Sequence, residues 1–208
     1  MPVELEIKLN VTDQSVASQL FSDPTVEQYL YGEISETPML SRYYETFSGA
    51  MNAKKWSLRL RREGEKNVAS LKTSSRDLTG YVFSRNEYEV FSDTIEQAIP
   101  LLVDEGAPAE LAEIAKAEQF SEICRIEFLR RSALLKLPDG VLIEMALDKG
   151  EIHADGKTEP LHELELELLF GRPEELEPLV ELFTKKYRLD RSVLSKYERA
   201  LRLLRRRA

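Results

Sequence analysis

Segment after segment of this chain alternates charged and aliphatic residues with the two-residue period of a β-strand. In Val3-Glu4-Leu5-Glu6-Ile7-Lys8-Leu9 the side chains of Glu4, Glu6 and Lys8 share one face, because successive strand side chains point to opposite sides. Arg59 and Arg61 share a face in Leu58-Arg59-Leu60-Arg61, and Lys72 lies within Val68–Thr73. Arg85, Glu87 and Glu89 fall together, as do Arg125 with Glu127 and Glu144 with Asp148. His162 to Leu168 aligns Glu163, Glu165 and Glu167 in a row. One such strand reads as half-buried, with its charges in water. Many strands carrying both signs read differently. Like charges in a row at ~7 Å spacing repel and add nothing to the stability of a sheet. The economical arrangement turns the charged faces inward around a ligand and covers the apolar faces with helices. Buried charges of both signs then need partners of both signs. A polyanion satisfies the bases, and a divalent metal satisfies the carboxylates.

The remaining pattern supplies the cover. Helices are predicted from Asp13 to about Phe21, Pro24 to Leu30, Thr94 to Val103 with Asp93 as cap, Pro108 to about Ala117, Pro173 to Tyr187, and from Ser195 onward. Strands are predicted at Val3–Val11, Met39–Phe47, Trp56–Arg62, Val68–Thr73, Tyr81–Phe91, Phe120–Leu135, Val141–Leu147 and Leu161–Leu169, with a short return strand at Glu151–His153. Asp77–Gly80, Asp139-Gly140 and Asp155-Gly156 mark turns. Sequential strands joined by tight turns predict an antiparallel sheet, and about eight of them suit a closed barrel. The expected fold is α+β: a closed eight-stranded antiparallel barrel with a charged interior and helices outside.

Composition excludes several other classes. The net charge of -8 argues against a nucleic-acid-binding protein. No stretch is long and apolar enough for a membrane helix, and the start lacks the pattern of a signal peptide. With a single cysteine, Cys124, a reduced cytoplasmic setting is expected. His153, His162 and Cys124 do not have zinc-site spacing. Trp56, Tyr43 and Tyr44 read as core or rim aromatics, and the arginines from Arg202 to Arg207 read as a solvated helix end.

Glu4-Leu5-Glu6-Ile7-Lys8 resembles the Glu-x-Glu-x-Lys signature of the CYTH, or triphosphate tunnel metalloenzyme, family. Leu58-Arg59-Leu60-Arg61, Leu71-Lys72-Thr73, Arg85-x-Glu87-Tyr88, Arg125, Glu144-x-x-x-Asp148, Glu163-x-Glu165-x-Glu167 and Ser195-Lys196 extend the resemblance in order along nearly the whole chain. Among subgroups it is most similar to proteobacterial inorganic triphosphatases. The resemblance implies a single tunnel domain over residues 1–208, with a helix at about 195–206 plugging one end. It also implies Mg²⁺- or Mn²⁺-dependent hydrolysis of a triphosphate, with tripolyphosphate the leading substrate. Class IV-type adenylyl cyclase and thiamine triphosphatase activities stay open, as does a polyphosphate-binding module without turnover. No nucleic-acid or membrane partner is expected, and a homodimer stays open.

The implied roles divide by charge. Lys8, Arg59, Arg61, Lys72, Arg85, Arg125 and Lys196 would hold phosphate oxygens, arginine as a two-pronged donor and lysine as a point charge. Glu4, Glu6, Glu165 and Glu167 would hold the metal, since hard cations take carboxylate oxygen. Glu6 or Glu167 would orient the attacking water, and Lys196 joins them as a catalytic candidate. Glu87, Glu89, Glu144, Asp148 and Glu163 would stand behind these groups.

Overall fold

The computed structural model describes residues 5–73 and 86–205 of the chain. Glu4, Arg85, the Asp77–Gly80 turn and the last two arginines of the tail lie outside the described residues. In chain order the elements are β1 (Glu6–Asn10), α1 (Gln14–Leu20), α2 (Pro24–Tyr29), β2 (Ser35–Thr46), α3 (Ala50–Ala53), β3 (Ser57–Glu63), β4 (Lys66–Lys72) and β5 (Glu87–Phe91). They continue with α4 (Ile95–Asp104), α5 (Glu110–Ala117), β6 (Phe120–Lys136), β7 (Leu142–Ala154), β8 (Lys157–Phe170), α6 (Glu177–Tyr187), β9 (Asp190–Ser192) and α7 (Lys196–Arg205).

All strands join one antiparallel sheet in the order β5-β4-β3-β2-β6-β7-β8-β1-β9. This corrects the expected closed barrel of eight strands: among the described residues there are nine, and the first and last in the order do not pair. The physical reason is β9. This three-residue strand takes the outer edge of β1, the edge that a closing strand would need. The sheet nevertheless curls, since side chains from all of β1 to β8 line one cavity.

The face away from the cavity is apolar and is divided between two helical layers. Ile7, Leu9, Ile143, Met145, Leu164 and Leu166 meet Leu20, Val26, Leu179, Val180 and Phe183 of α1, α2 and α6. Leu58, Leu60, Leu71 and Tyr88 meet Ile95, Ile99, Leu102 and Leu111 of α4 and α5. Leu58, Leu71, Leu102 and Leu111 are fully buried, and each contributes about 1.5–3 kcal/mol by leaving water. A third cluster lies on the inner face. There Cys124, Ile126, Phe128, Ile152, Ala154 and Leu161 pack under Tyr197, Ala200 and Leu203 of α7. Burial pushes the Cys124 thiol up to about 12, so it behaves as a small hydrophobe.

Helix starts follow short polar side chains. Asp13 accepts from the Ser15 amide at 2.7 Å, and Asp23 accepts from the Thr25 amide at 2.8 Å. Asp23 also accepts from Lys186 Nζ and Tyr187 Oη, each at 2.6 Å, which ties α2 to α6. The cap of α4 is Thr94 rather than Asp93, whose carboxylate instead accepts from Asn67 at 3.1 Å.

The strand expected to stop near Leu147 and return at Glu151 runs unbroken as β7. Gly150 is the reason. A Cβ there would lie 2.0 Å from the Glu127 carbonyl oxygen and 2.5 Å from the Phe128 Cα. The glycine therefore marks the close approach of β6, not a turn. The turn comes at Asp155-Gly156, where φ values of 52° and 68° fit a two-residue hairpin. Replacing Gly150 by alanine should destabilise the fold by about 1–3 kcal/mol through backbone overpacking. For a chain of this size that is a fall in melting temperature of about 2–4 °C per kcal/mol, and an unchanged melting temperature would refute the close-approach argument.

Candidate active site

The cavity inside the curled sheet has a volume of about 380 Å³, at the small end for small-molecule sites. Glu6 and Lys8 reach it from β1, Arg59, Arg61 and Glu63 from β3, and Lys72 from β4. Glu87 and Glu89 reach it from β5, Arg130 from β6, Glu144 from β7, Glu165 and Glu167 from β8, and Lys196 from α7.

Glu165 stands at the centre of the charges. It receives Lys8 Nζ at 2.5 Å, Arg130 Nη2 at 2.5 Å and Lys196 Nζ at 2.6 Å. Burial pushes its carboxyl upward, but Lys196, Lys8 and Arg130 outweigh burial and hold it well below the usual carboxylate range. Burial opposes the charge on Lys8, yet Glu165, Glu6 and Glu163 raise it well above an ordinary lysine. Asp148 is fully buried and accepts both prongs of Arg130, at 2.8 and 2.7 Å. Lys196 is enclosed by Asp148 at 2.9 Å, Glu163 at 2.7 Å and Glu165. Burial opposes its charge, but these carboxylates raise its pKa, so it stays an ammonium.

On the other flank, Arg59 lies 3.3 Å from Glu87 and 3.4 Å from Glu89, and Lys72 lies 3.0 Å from Glu87. Arg61 pairs with Glu63. Burial and then the like charges of Arg59 and Arg130 depress the Arg61 pKa. Three guanidiniums, Arg59, Arg61 and Arg130, lining one cavity are a place for an anion.

Several placements differ from the sequence reading, and Glu87 and Glu89, expected behind the site, reach the cavity. Arg125 points away from the cavity: its side chain is half-exposed and pairs with Glu127 at 2.9 Å. The inner face of β6 carries the other parity, Cys124, Ile126, Phe128 and then Arg130. Arg130 escaped the reading because it follows apolar residues on its face. The signal for it is its register, directly opposite Asp148. Glu165, assigned to metal, is surrounded by cations. Glu144, assigned behind it, stands in the cavity wall. Glu63 and Tyr197 were also missed, although Glu63 continues the parity of Arg59 and Arg61.

The donors for a metal are legible in the register. Glu6 lies opposite Glu167, and Glu167 lies opposite Glu144, so three carboxylates stand side by side across β1, β8 and β7. Like charges directly opposite one another destabilise a sheet unless a cation joins them. Among the described residues no three acidic, histidine or cysteine side chains already converge on one coordination point. The donor chemistry nonetheless fits a hard divalent cation, which takes carboxylate oxygens.

The CYTH domain family matches the chain over residues 3–201. The chain belongs to the CYTH domain family. Membership implies dependence on a divalent metal and activity on a triphosphate, by hydrolysis or by adenylyl cyclase-like chemistry. Solved structures share the CYTH fold. HpAC1 from Hippeastrum is 21% identical, with 93% of each chain covered and a TM-score of 0.60. The PH1819 protein from Pyrococcus horikoshii is 18% identical over 96% of this chain and 99% of its own, with a TM-score of 0.54. An adenylate cyclase candidate from Vibrio parahaemolyticus is 16% identical over 96% and 98%, also at 0.54. No helix among the described residues of the CYTH chain is long and apolar enough to cross a membrane.

Proposed function

We propose that this chain hydrolyses inorganic tripolyphosphate to pyrophosphate and phosphate, using Mg²⁺ or Mn²⁺, in a cytoplasmic setting. One observation carries the reading: a row of three carboxylates and the guanidiniums of Arg59, Arg61 and Arg130 line the same small cavity. HpAC1, of the same fold, is described as an adenylyl cyclase candidate with a dominant triphosphatase activity, which supports hydrolysis over cyclisation.

Arg59, Arg61 and Arg130 grip phosphate oxygens with paired N–H groups, and Lys72 and Lys8 add point charges. Glu6, Glu167 and Glu144 would hold the divalent ion, which supplies Lewis-acid polarisation of the phosphate oxygens when bound. Glu6 or Glu167 orients the attacking water and accepts its proton. Lys196 is held as an ammonium by its carboxylate neighbours, and it keeps Glu163 and Glu165 in place. Attack at the terminal phosphorus and departure of pyrophosphate are favoured by fixed charges that need no reorganisation.

The test is phosphate release from tripolyphosphate, ATP and thiamine triphosphate, with Mg²⁺ or Mn²⁺ and with EDTA. Release from tripolyphosphate is expected, abolished by EDTA. Arg130→Ala should lower kcat/KM at least about 100-fold, while Arg125→Ala should stay within about twofold. Cyclic AMP and pyrophosphate from ATP would move the assignment to a cyclase. Tight binding of tripolyphosphate without turnover would leave a binding module.

A further inference from the structure

Among the described residues, Met39, Tyr43, Phe128 and Tyr197 supply the apolar and aromatic part of a cavity lining otherwise made of charged, serine and threonine side chains. An aromatic wall beside a phosphate grip is where a nucleobase or other planar ring of an organic triphosphate would stack. Here the ring faces are already taken. Tyr43 and Tyr197 stack on each other, with centroids 4.7 Å apart and planes 18° from parallel. Each is only 7% exposed and belongs to one buried cluster with Cys124, Ile126, Ala200 and Leu203. The Phe128 ring has Lys196 Nζ 5.7 Å and the Arg130 guanidinium carbon 5.8 Å from its centroid. Tyr197 also follows Lys196 directly, and the carboxylates that enclose Lys196 fix where the ring begins. Tyr43 lies opposite Arg59 in register, so the wall starts where one of the phosphate-gripping arginines ends.

We propose that the Tyr43–Tyr197 stack is a specificity element: it denies a stacking slot to the organic part of an organic triphosphate and so confines the site to inorganic phosphate chains. This rests on the reading that the cavity hydrolyses triphosphates. The substrate class is set here by aromatic surface already paired, not by a shortage of aromatic residues.

The experiment compares kcat/KM for tripolyphosphate and ATP with Mg²⁺ in the wild type, Tyr43→Ala, Tyr197→Ala and the conservative Tyr197→Phe. The wild type should prefer tripolyphosphate. Either alanine variant should lower the tripolyphosphate-to-ATP ratio at least about tenfold, the scale of a reshaped pocket, and Tyr197→Phe should keep it. Folded alanine variants with the wild-type ratio would overturn the proposal and leave the triphosphatase reading standing. Should the alanine variants fail to fold, inhibition of the wild type by pyrophosphate and by ADP decides. Weaker inhibition by ADP is expected, and tighter inhibition by ADP would overturn the proposal. A wild type inert on both triphosphates would remove the triphosphatase reading, and this inference with it.

Discussion

Glu165→Gln should lose tripolyphosphate hydrolysis and a large part of the protein's stability together. The carboxylate of Glu165 receives Lys8, Arg130 and Lys196 within 2.6 Å, and its side chain is only 10% exposed. A neutral amide of the same shape cannot balance those charges. Removing one partner from a buried ion cluster costs about 3–5 kcal/mol, because the others remain charged out of water. Displaced cations also misplace the phosphate grip, so kcat/KM should fall at least about 100-fold. Urea unfolding and phosphate release check the two halves. Wild-type stability in the variant would show that the cluster balances itself without Glu165.

The same site sets an acid limit. The folded pKa of Glu165 lies well below its unfolded value of about 4.3, so its contribution is full above that value. It is lost as pH falls toward the folded pKa. Stability of the wild type should therefore decline with a steeper slope below about pH 4.3 than that of Glu165→Gln. Equal slopes would mean that this carboxyl is not held down in the folded state.

Lys196→Met should cost about 3–5 kcal/mol at neutral pH. The ammonium lies within 2.9 Å of Asp148 and 2.7 Å of Glu163, both fully buried. Asp148 keeps Arg130 when the lysine is gone, but Glu163 loses the ammonium that pairs with it at 2.7 Å and stays buried. Adding Glu163→Gln to Lys196→Met should restore at least about 1 kcal/mol, a coupling of the size found between residues in contact. An additive double variant would show that Lys196 and Glu163 do not act as a unit.

Much of this architecture is written in local pattern. Glu6, Lys8, Arg59, Arg61, Lys72, Glu87, Glu89, Glu144, Glu165, Glu167 and Lys196 all line the cavity. Nearly all of them are legible because strand side chains alternate, so neighbours two apart share a face whatever the strand pairs with. The apolar positions between them, such as Leu58, Leu71, Leu164 and Leu166, likewise indicate helices on the outer face. The α+β class and the antiparallel order follow from short turns between such segments.

What only the tertiary structure decided is which parity turns inward where both faces look plausible, and which strands stand side by side. On β6, Arg125 and Glu127 alternate as convincingly as Phe128 and Arg130. The choice is made by α7, whose Tyr197, Ala200 and Leu203 need apolar partners and find Cys124, Ile126 and Phe128. The metal-fitting row of Glu6, Glu167 and Glu144 depends on register between strands far apart in sequence. The open edge depends on three residues of β9 that carry no pattern of their own. A two-residue period is a property of one strand, set by its own backbone. Register, edges and the enclosure of charge are properties of pairs, and they are set by the burial that each pair achieves with the rest of the fold.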